Sequence, residues 1–201
     1  TAEFGAAGNL TSVGGKDGFV AKLTSSGVYL WVTQFNASRP TIAHAIATQV
    51  DGSIVVVGSF QGTVSFGTAG SLTVPPGIDG FVARMTSSGA WLSATQFGGP
   101  GVDIGYGVST HADGSTTITG YFTGTATFGA AGSLTSAGGS IDGFVAKLTA
   151  SGAFLWVTQF GSPTLGATGD RGLACAAHDD GSTIVTGYFV GNASFGAAGN
   201  L

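Results

Sequence analysis

Ten acidic side chains, three histidines and one cysteine are the groups in this 201-residue chain that could perform acid–base, metal or nucleophilic chemistry. Their spacing argues against most of it. Asp179 and Asp180 are adjacent carboxylates, but they belong to a Gly-containing hairpin turn rather than to two walls of a cleft. Asp17, Asp79 and Asp142 open the same apolar phrase three times, and a carboxylate needed once in an active site has no reason to recur at a fixed interval. His111 and His178 hold equivalent positions just before Asp-Gly turns, where the first copy has Gln49, so a zinc site would lack a strong third ligand. They read as hydrogen-bonding supports of those turns. His44 has no counterpart, its equivalents being Tyr106 and Leu173. Cys175 is the single cysteine, flanked by Ala174 and Ala176, and reads as a small buried apolar residue. The chain contains no Asp-x-Asp-x-Asp-Gly calcium loop, no nucleophile elbow and no lysine-bearing phosphate loop. No catalytic residue, metal or cofactor is expected, and the chain reads as a non-enzyme.

The elements that would position any site come from a repeat of about 62 residues. Lys16-Asp17-Gly18-Phe19-Val20-Ala21-Lys22-Leu23 returns as Ile78-Asp79-Gly80-Phe81-Val82-Ala83-Arg84-Met85 and again as Ile141-Asp142-Gly143-Phe144-Val145-Ala146-Lys147-Leu148. Aligned on this phrase, the units run 1–62, 63–124 and 125–191, and 192–201 begins a fourth that nearly copies residues 1–10. Each unit holds four strand-like runs, clearest at Tyr106 to His111, Thr116 to Phe122, Gly143 to Leu148 and Ala153 to Phe160. Asp51-Gly52, Asp113-Gly114 and Asp180-Gly181 join two of the runs, and Ser26-Gly27, Ser88-Gly89 and Ser151-Gly152 join the other two. Glycine accepts positive φ without steric cost, so both pairs predict tight hairpins and a four-stranded antiparallel meander.

Only 8% of the residues are charged while 37 are glycine, a balance that suits strands buried on both faces. The stretch Ile54-Val55-Val56-Val57 does not alternate apolar and polar, as expected of a sheet sandwiched between other sheets. The expected fold is therefore all-β, a β-propeller of four-stranded blades with about three blade equivalents, one of them split between 17–36 and 172–191. Tyr29, Trp91 and Phe154 are equivalent; Trp31, Ser93 and Trp156 follow two residues later, which places them on the same strand face and in the core. Phe4, Phe66, Phe128 and Phe195 precede glycine in each copy and read as plugs between blades. A net charge of −4 with scattered basic residues offers no footprint for nucleic acid, and no apolar run is long enough to span a membrane.

The combination Asp142-Gly143-Phe144-Val145-Ala146-Lys147-Leu148, Ser151-Gly152, Leu155-Trp156, Asp180-Gly181-Ser182 and Val185-Thr186-Gly187-Tyr188 resembles the bacterial SBBP β-propeller repeat, and the resemblance covers essentially the whole chain. It implies a secreted or cell-surface propeller without a well-defined common activity. Ser93 departs from the pattern, where the other units have tryptophan.

Functional promise lies where the repeat breaks. The stretches 36–43, 98–105 and 161–172 differ in length and content and carry Arg39, Asp103, Asp170 and Arg171, the candidate ligand-binding residues. They are expected on the same end as the long connection running to Ile141, and loops on a rigid scaffold are where binding resides. Asn9, Asn36 and Asn192 begin glycosylation sequons, and Asn200 would begin another if the next residue matched Thr11. The leading expectation is an extracellular or cell-surface protein with a structural, adhesive or assembly role. Surface glycans bound in a lectin-like manner are the alternative, and a polysaccharide-acting enzyme comes third. Three blades with one split fall short of a propeller, so the expectation is either an excerpt from a longer propeller or a second partner, another copy of the chain, giving a ring of about six blades from two chains or a filament.

Overall fold

The structure is a computed structural model that describes residues 1–13, 15–139, 141–163 and 169–199. Its regular elements are β-strands and three-residue 3-10 turns, and among the described residues no helix is long and apolar enough to cross a membrane. In chain order, β1 (Ala2–Glu3) pairs with β2 (Asn9–Leu10), and β3 (Phe19–Leu23) with β4 (Tyr29–Gln34). After β5 (Asn36–Ala37) come β6 (Thr41–Thr48) and β7 (Ile54–Phe60). A small hairpin of β8 (Thr63–Ser65) and β9 (Ser71–Thr73) follows, then β10 (Asp79–Met85) and β11 (Trp91–Phe97). The pattern repeats with β12 (Ile104–Thr110), β13 (Thr116–Thr123), the hairpin β14 (Thr125–Thr127) and β15 (Ser133–Thr135), β16 (Ile141–Leu148) and β17 (Phe154–Phe160). It closes with β18 (Arg171–Ala177) and β19 (Thr183–Tyr188).

Two complete antiparallel meanders result, β6-β7-β10-β11 and β12-β13-β16-β17, and two half-sheets, β3-β4 and β18-β19. The half-sheets correspond to the last two and the first two strands of a meander. Together the four sheets form a stack. Val20 and Trp31 of β3-β4 pack with Val56, Phe81 and Met85 of the first meander. Val55, Val57 and Val82, which point to the opposite face, pack with Ile118, Phe144 and Leu148 of the second meander. β18 then lies over β12 and β13. The end half-sheets make no extensive contact with each other, so among the described residues the stack is open and does not close into a ring.

This arrangement accounts for the composition. Every residue of β7 is buried, and all but the last of β13, because each strand has a sheet on both sides. The expected Asp-Gly and Ser-Gly hairpins are present, with a more elaborate turn than a two-residue loop. Gln49 N–H bonds the Ser53 carbonyl while Gly52 N–H bonds the Gln49 carbonyl, and only the glycine takes positive φ, at 79°. This is a type I turn closed by a left-handed glycine. Asp51 secures it by accepting the Ser53 N–H at 2.8 Å, and Asp113 and Asp180 repeat the bond with Ser115 and Ser182.

The two aromatic positions of the outer strand do not share a face, contrary to the period of two. Met85 pairs with Trp91 while Arg84 pairs with Ser93, so Leu92 is an extra residue in a β-bulge; Leu30 and Leu155 occupy the same place. The bulge reverses the strand's facing, so residues two apart no longer share a side. Trp91 packs edge-on to Phe66 in one core, whereas the Trp31 position points to the other side, where the Trp31 indole donates to the Ser87 carbonyl of the next sheet. Trp156 has no next outer pair over it and is 42% exposed rather than core.

The recurring Asp-Gly-Phe phrase is consumed by packing. Asp79 accepts from the Gln96 amide and Asp17 from that of Gln34, clasping neighbouring strands. A Cβ at Gly80 would fall 2.0 Å from the Phe97 ring, and Phe81 and Phe144 are fully buried. The tightest requirement lies on the second strands: a Cβ at Gly120 would sit 1.9 Å from the Ile104 carbonyl oxygen, a backbone atom that cannot swing away. Gly120→Ala is expected to destabilise the protein by about 2–4 kcal/mol, measured as a lower urea midpoint with an unchanged m value.

Candidate functional site

The loops of variable sequence gather at one end of the stack, where each is stitched to the small hairpin of the following unit. Asn36–Ala37 pairs with Val64–Ser65, Gly98 bridges to Thr127, and Gly161 bridges to Ser194. The same end therefore receives the connections leading into β10 and β16, as expected. Part of the longest loop, residues 164–168, lies outside the described residues, as does the sequon at Asn200.

The four charged loop residues do not form one constellation. Asp103 is fully buried; one carboxylate oxygen accepts the Gly99 N–H at 2.8 Å and the other the Thr123 N–H at 3.3 Å. Asp170 is equally deep and accepts from Ser162 at 2.7 Å and Val190 at 2.8 Å. Both carboxylates turn inward, where they pin the loop to the end of the second strand. Arg39 is exposed beside a cleft of about 410 Å³ that Gln61, Val74, Pro75 and Pro76 also line. Arg171 lies over the ring of Tyr121, 4.4 Å from its centroid. Asn9, Asn36 and Asn192 are all exposed.

Arg171 belongs to a feature the repeat alignment did not single out. Each first strand carries a bulge, with His44 unpaired between Ala43 and Ala45, Tyr106 between Gly105 and Gly107, and Leu173 between Gly172 and Ala174. His44 and Tyr106 are thereby re-aimed into a row: their rings lie 4.9 Å apart, Tyr106 lies 5.7 Å from Tyr121, and Arg171 caps Tyr121. His44 Nε2 also lies 3.2 Å from the Ser59 hydroxyl, and burial holds its imidazole below the usual histidine range. Burial likewise pushes the Tyr121 phenol up. The sequence signal was a large residue between two small ones in each first strand.

The remaining candidates are structural in their contacts. His111 Nε2 lies 2.9 Å from the Thr117 hydroxyl, linking its turn to the adjacent strand, and His178 Nδ1 lies 3.1 Å from Asp180 across its own turn. Cys175 is half-buried, bonds the Thr117 carbonyl at 3.4 Å, and has its thiol pushed up by burial. Among the described residues no three His, Cys, Asp or Glu side chains converge.

A carboxylate pair lies beneath the loop end. Asp79 and Asp103 both crowd the place a Cβ on Gly98 would take, at 2.7 and 2.8 Å, and Asp79 Oδ1 is buried without a hydrogen-bond partner. Burial, reinforced by the nearby Asp79 carboxylate and opposed by the Gly99 and Thr123 N–H groups, pushes Asp103 up to about 7. The folded protein then binds more protons than the unfolded chain between the ordinary value of 3.8 and about 7, so stability falls as pH rises through that window. Asp103→Asn stays neutral and is expected to flatten this decline, while its single amide oxygen leaves either the Gly99 or the Thr123 N–H without an acceptor and lowers the Tm at pH 5, both read by calorimetry against the wild type. No known protein-family model and no curated protein sequence matches this chain.

Proposed function

We propose that this chain is a non-enzymatic, extracellular β-propeller segment of SBBP-like repeats with a structural or adhesive role, and that its recognition surface is the variable-loop end. The observation that carries this reading is the order of packing. The first strands β6, β12 and β18 lie against one another in succession, each beginning a meander that runs outward from it, as the innermost strands of propeller blades do. The repeated residues are occupied in packing and turn formation, which leaves sequence variation, and with it selectivity, to the loop end. Three exposed sequons suit a secreted or cell-surface location.

A lectin-like variant of this reading is favoured by one specific observation. At the loop end the half-buried Tyr106 ring stands beside Arg171, which lies over the buried Tyr121 ring, and a flat ring next to guanidinium donors is the chemistry that holds a sugar face and its hydroxyls. A glycan array separates the two. The scaffold reading gives no saccharide above background. A specific saccharide whose signal falls at least about tenfold in Tyr106→Ala or Arg171→Ala, with the Tm retained, converts it to a lectin. Turnover of a polysaccharide by the purified chain overturns both.

A further inference from the structure

We propose that the free edges of β19 and β3 are two halves of one interface, and that a second copy of this chain docks its β3-β4 hairpin against β19 to complete a four-stranded sheet. The proposal rests on the propeller reading for the order of the sheets, and on the geometry of the two complete meanders for everything else. In those meanders the second strand pairs with the third in one register, Gly58 with Phe81 and Gly120 with Phe144. Gly187 and Phe19 are the same residues of the unpaired strands. Carried over, the register sets Gly187 opposite Phe19 of the second copy, Thr186 opposite Val20, Val185 opposite Ala21 and Thr183 opposite Leu23.

The apolar side chains exposed at the two ends are those that this docking would bury. At the β3-β4 end, Phe19 is 51% and Leu23 45% exposed, while their equivalents Phe81, Phe144, Met85 and Leu148 are fully buried between sheets. Ile46 on β6 is open on the same side. At the other end Ile184 is 60% exposed, whereas the equivalent Val55 is fully buried. Between β19 and the uncovered face of β16-β17 lies a cleft of about 420 Å³, lined by Val145, Thr158, Phe160, Val185, Tyr188 and Phe195. It lies where the missing outer pair belongs. The two internal junctions also show which polar contacts such a pair makes: Thr33 donates to the Gly89 carbonyl at 3.2 Å and Thr95 to that of Gly152 at 3.1 Å. Thr158 is the next member of that series, and Gly27 of a second copy is its acceptor.

The seat has a second claimant. Phe66 packs on Phe35 of the preceding unit together with Phe81 and Trp91 of its own, and Phe128 packs on Phe97, Phe144 and Phe154. Phe4 has its own two partners, Phe19 and Tyr29, but no preceding phenylalanine. Phe195 has the preceding one, stacked on Phe160 at 5.5 Å. Phe160 of one copy is therefore what Phe4 of the next lacks, and Phe195 holds its place until the second copy arrives.

The test uses the full chain in a Cys175→Ser background. Light scattering is expected to show assemblies at multiples of 19.7 kDa, with tryptophan emission shifting to the blue as concentration rises and the exposed Trp156 is covered. One preparation carrying Val20→Cys and another carrying Thr186→Cys, mixed under mild oxidation, are expected to give at least about tenfold more disulfide-linked dimer than Lys22→Cys mixed with Thr186→Cys, because bridging needs adjacent Cβ atoms. Phe195→Ser is expected to strengthen association, and Phe4→Ser to weaken it by about tenfold or more, as befits one buried aromatic contact. A particle that stays at 19.7 kDa at every concentration overturns the proposal while leaving the propeller reading intact, since further repeats of a longer chain could then fill the edge. Association with equal cross-linking at both pairs overturns the register and the docking mode. A discrete dimer mass indicates a closed ring, and a ladder of masses an open filament; each supports the proposal.

Discussion

The requirement that each full meander bury both of its faces governs the rest of this molecule. A strand with a sheet above and below it has no solvent-facing side on which to carry charge, and its backbone must approach neighbours closely enough to exclude water. β7 meets the requirement with Ile54, Val56 and Phe60 turned to one core and Val55 and Val57 to the other. β13 meets it with threonine in place of valine, and the hydroxyls find partners within the sheet, as from Thr119 to the Phe144 carbonyl at 2.7 Å, and across to the next sheet, where the Thr117 and Thr183 hydroxyls lie 2.9 Å apart. The glycines at the bulges follow from the same demand. At Gly107 a Cβ would lie 2.8 Å from the Cα of Ala174, so β12 and β18 meet through backbone rather than through side chains.

Most of this was legible in the sequence because it repeats. Four strands per unit, both classes of hairpin, the double-sided burial and the placement of the variable loops at one end could all be read from the spacing of Asp-Gly, Ser-Gly and Asp-Gly-Phe. The unread parts are those in which periodicity misleads. A period of two assigned Trp31 and Tyr29 to one face, but the bulge at Leu30 inserts a residue that the pattern cannot reveal, since Leu30, Leu92 and Leu155 are as apolar as their neighbours. The hairpins β8-β9 and β14-β15 were missed because three-residue strands are too short to establish alternation, although Phe66 and Phe128 were recognised as plugs.

The candidate site was less legible than the fold. Charge alone singled out Asp103 and Asp170, yet a carboxylate in a loop of glycine and proline serves equally well as an acceptor for backbone N–H groups, and both are used in that way. Loop N–H groups that have left the ladder need acceptors, and an inward aspartate supplies two oxygens to them. The row of His44, Tyr106, Tyr121 and Arg171 was invisible because its members lie in three units and on first and second strands alike. Only the bulges bring them into line.

A stack of near-identical sheets has a further consequence. Each internal junction presents the same two surfaces, one facing the preceding unit through the Phe81 and Met85 positions and the other facing the following unit through the Val55 and Val82 positions. The two ends of the chain expose these same surfaces, one at each end, so complementarity between them comes from the repeat and requires no separately evolved interface. The free edges of β3 and β19 carry a matching set of unpaired backbone groups, which by themselves favour strand addition. Edge, apolar face and register therefore coincide at both ends. These are the edge, face and register that the proposed docking of a second copy uses.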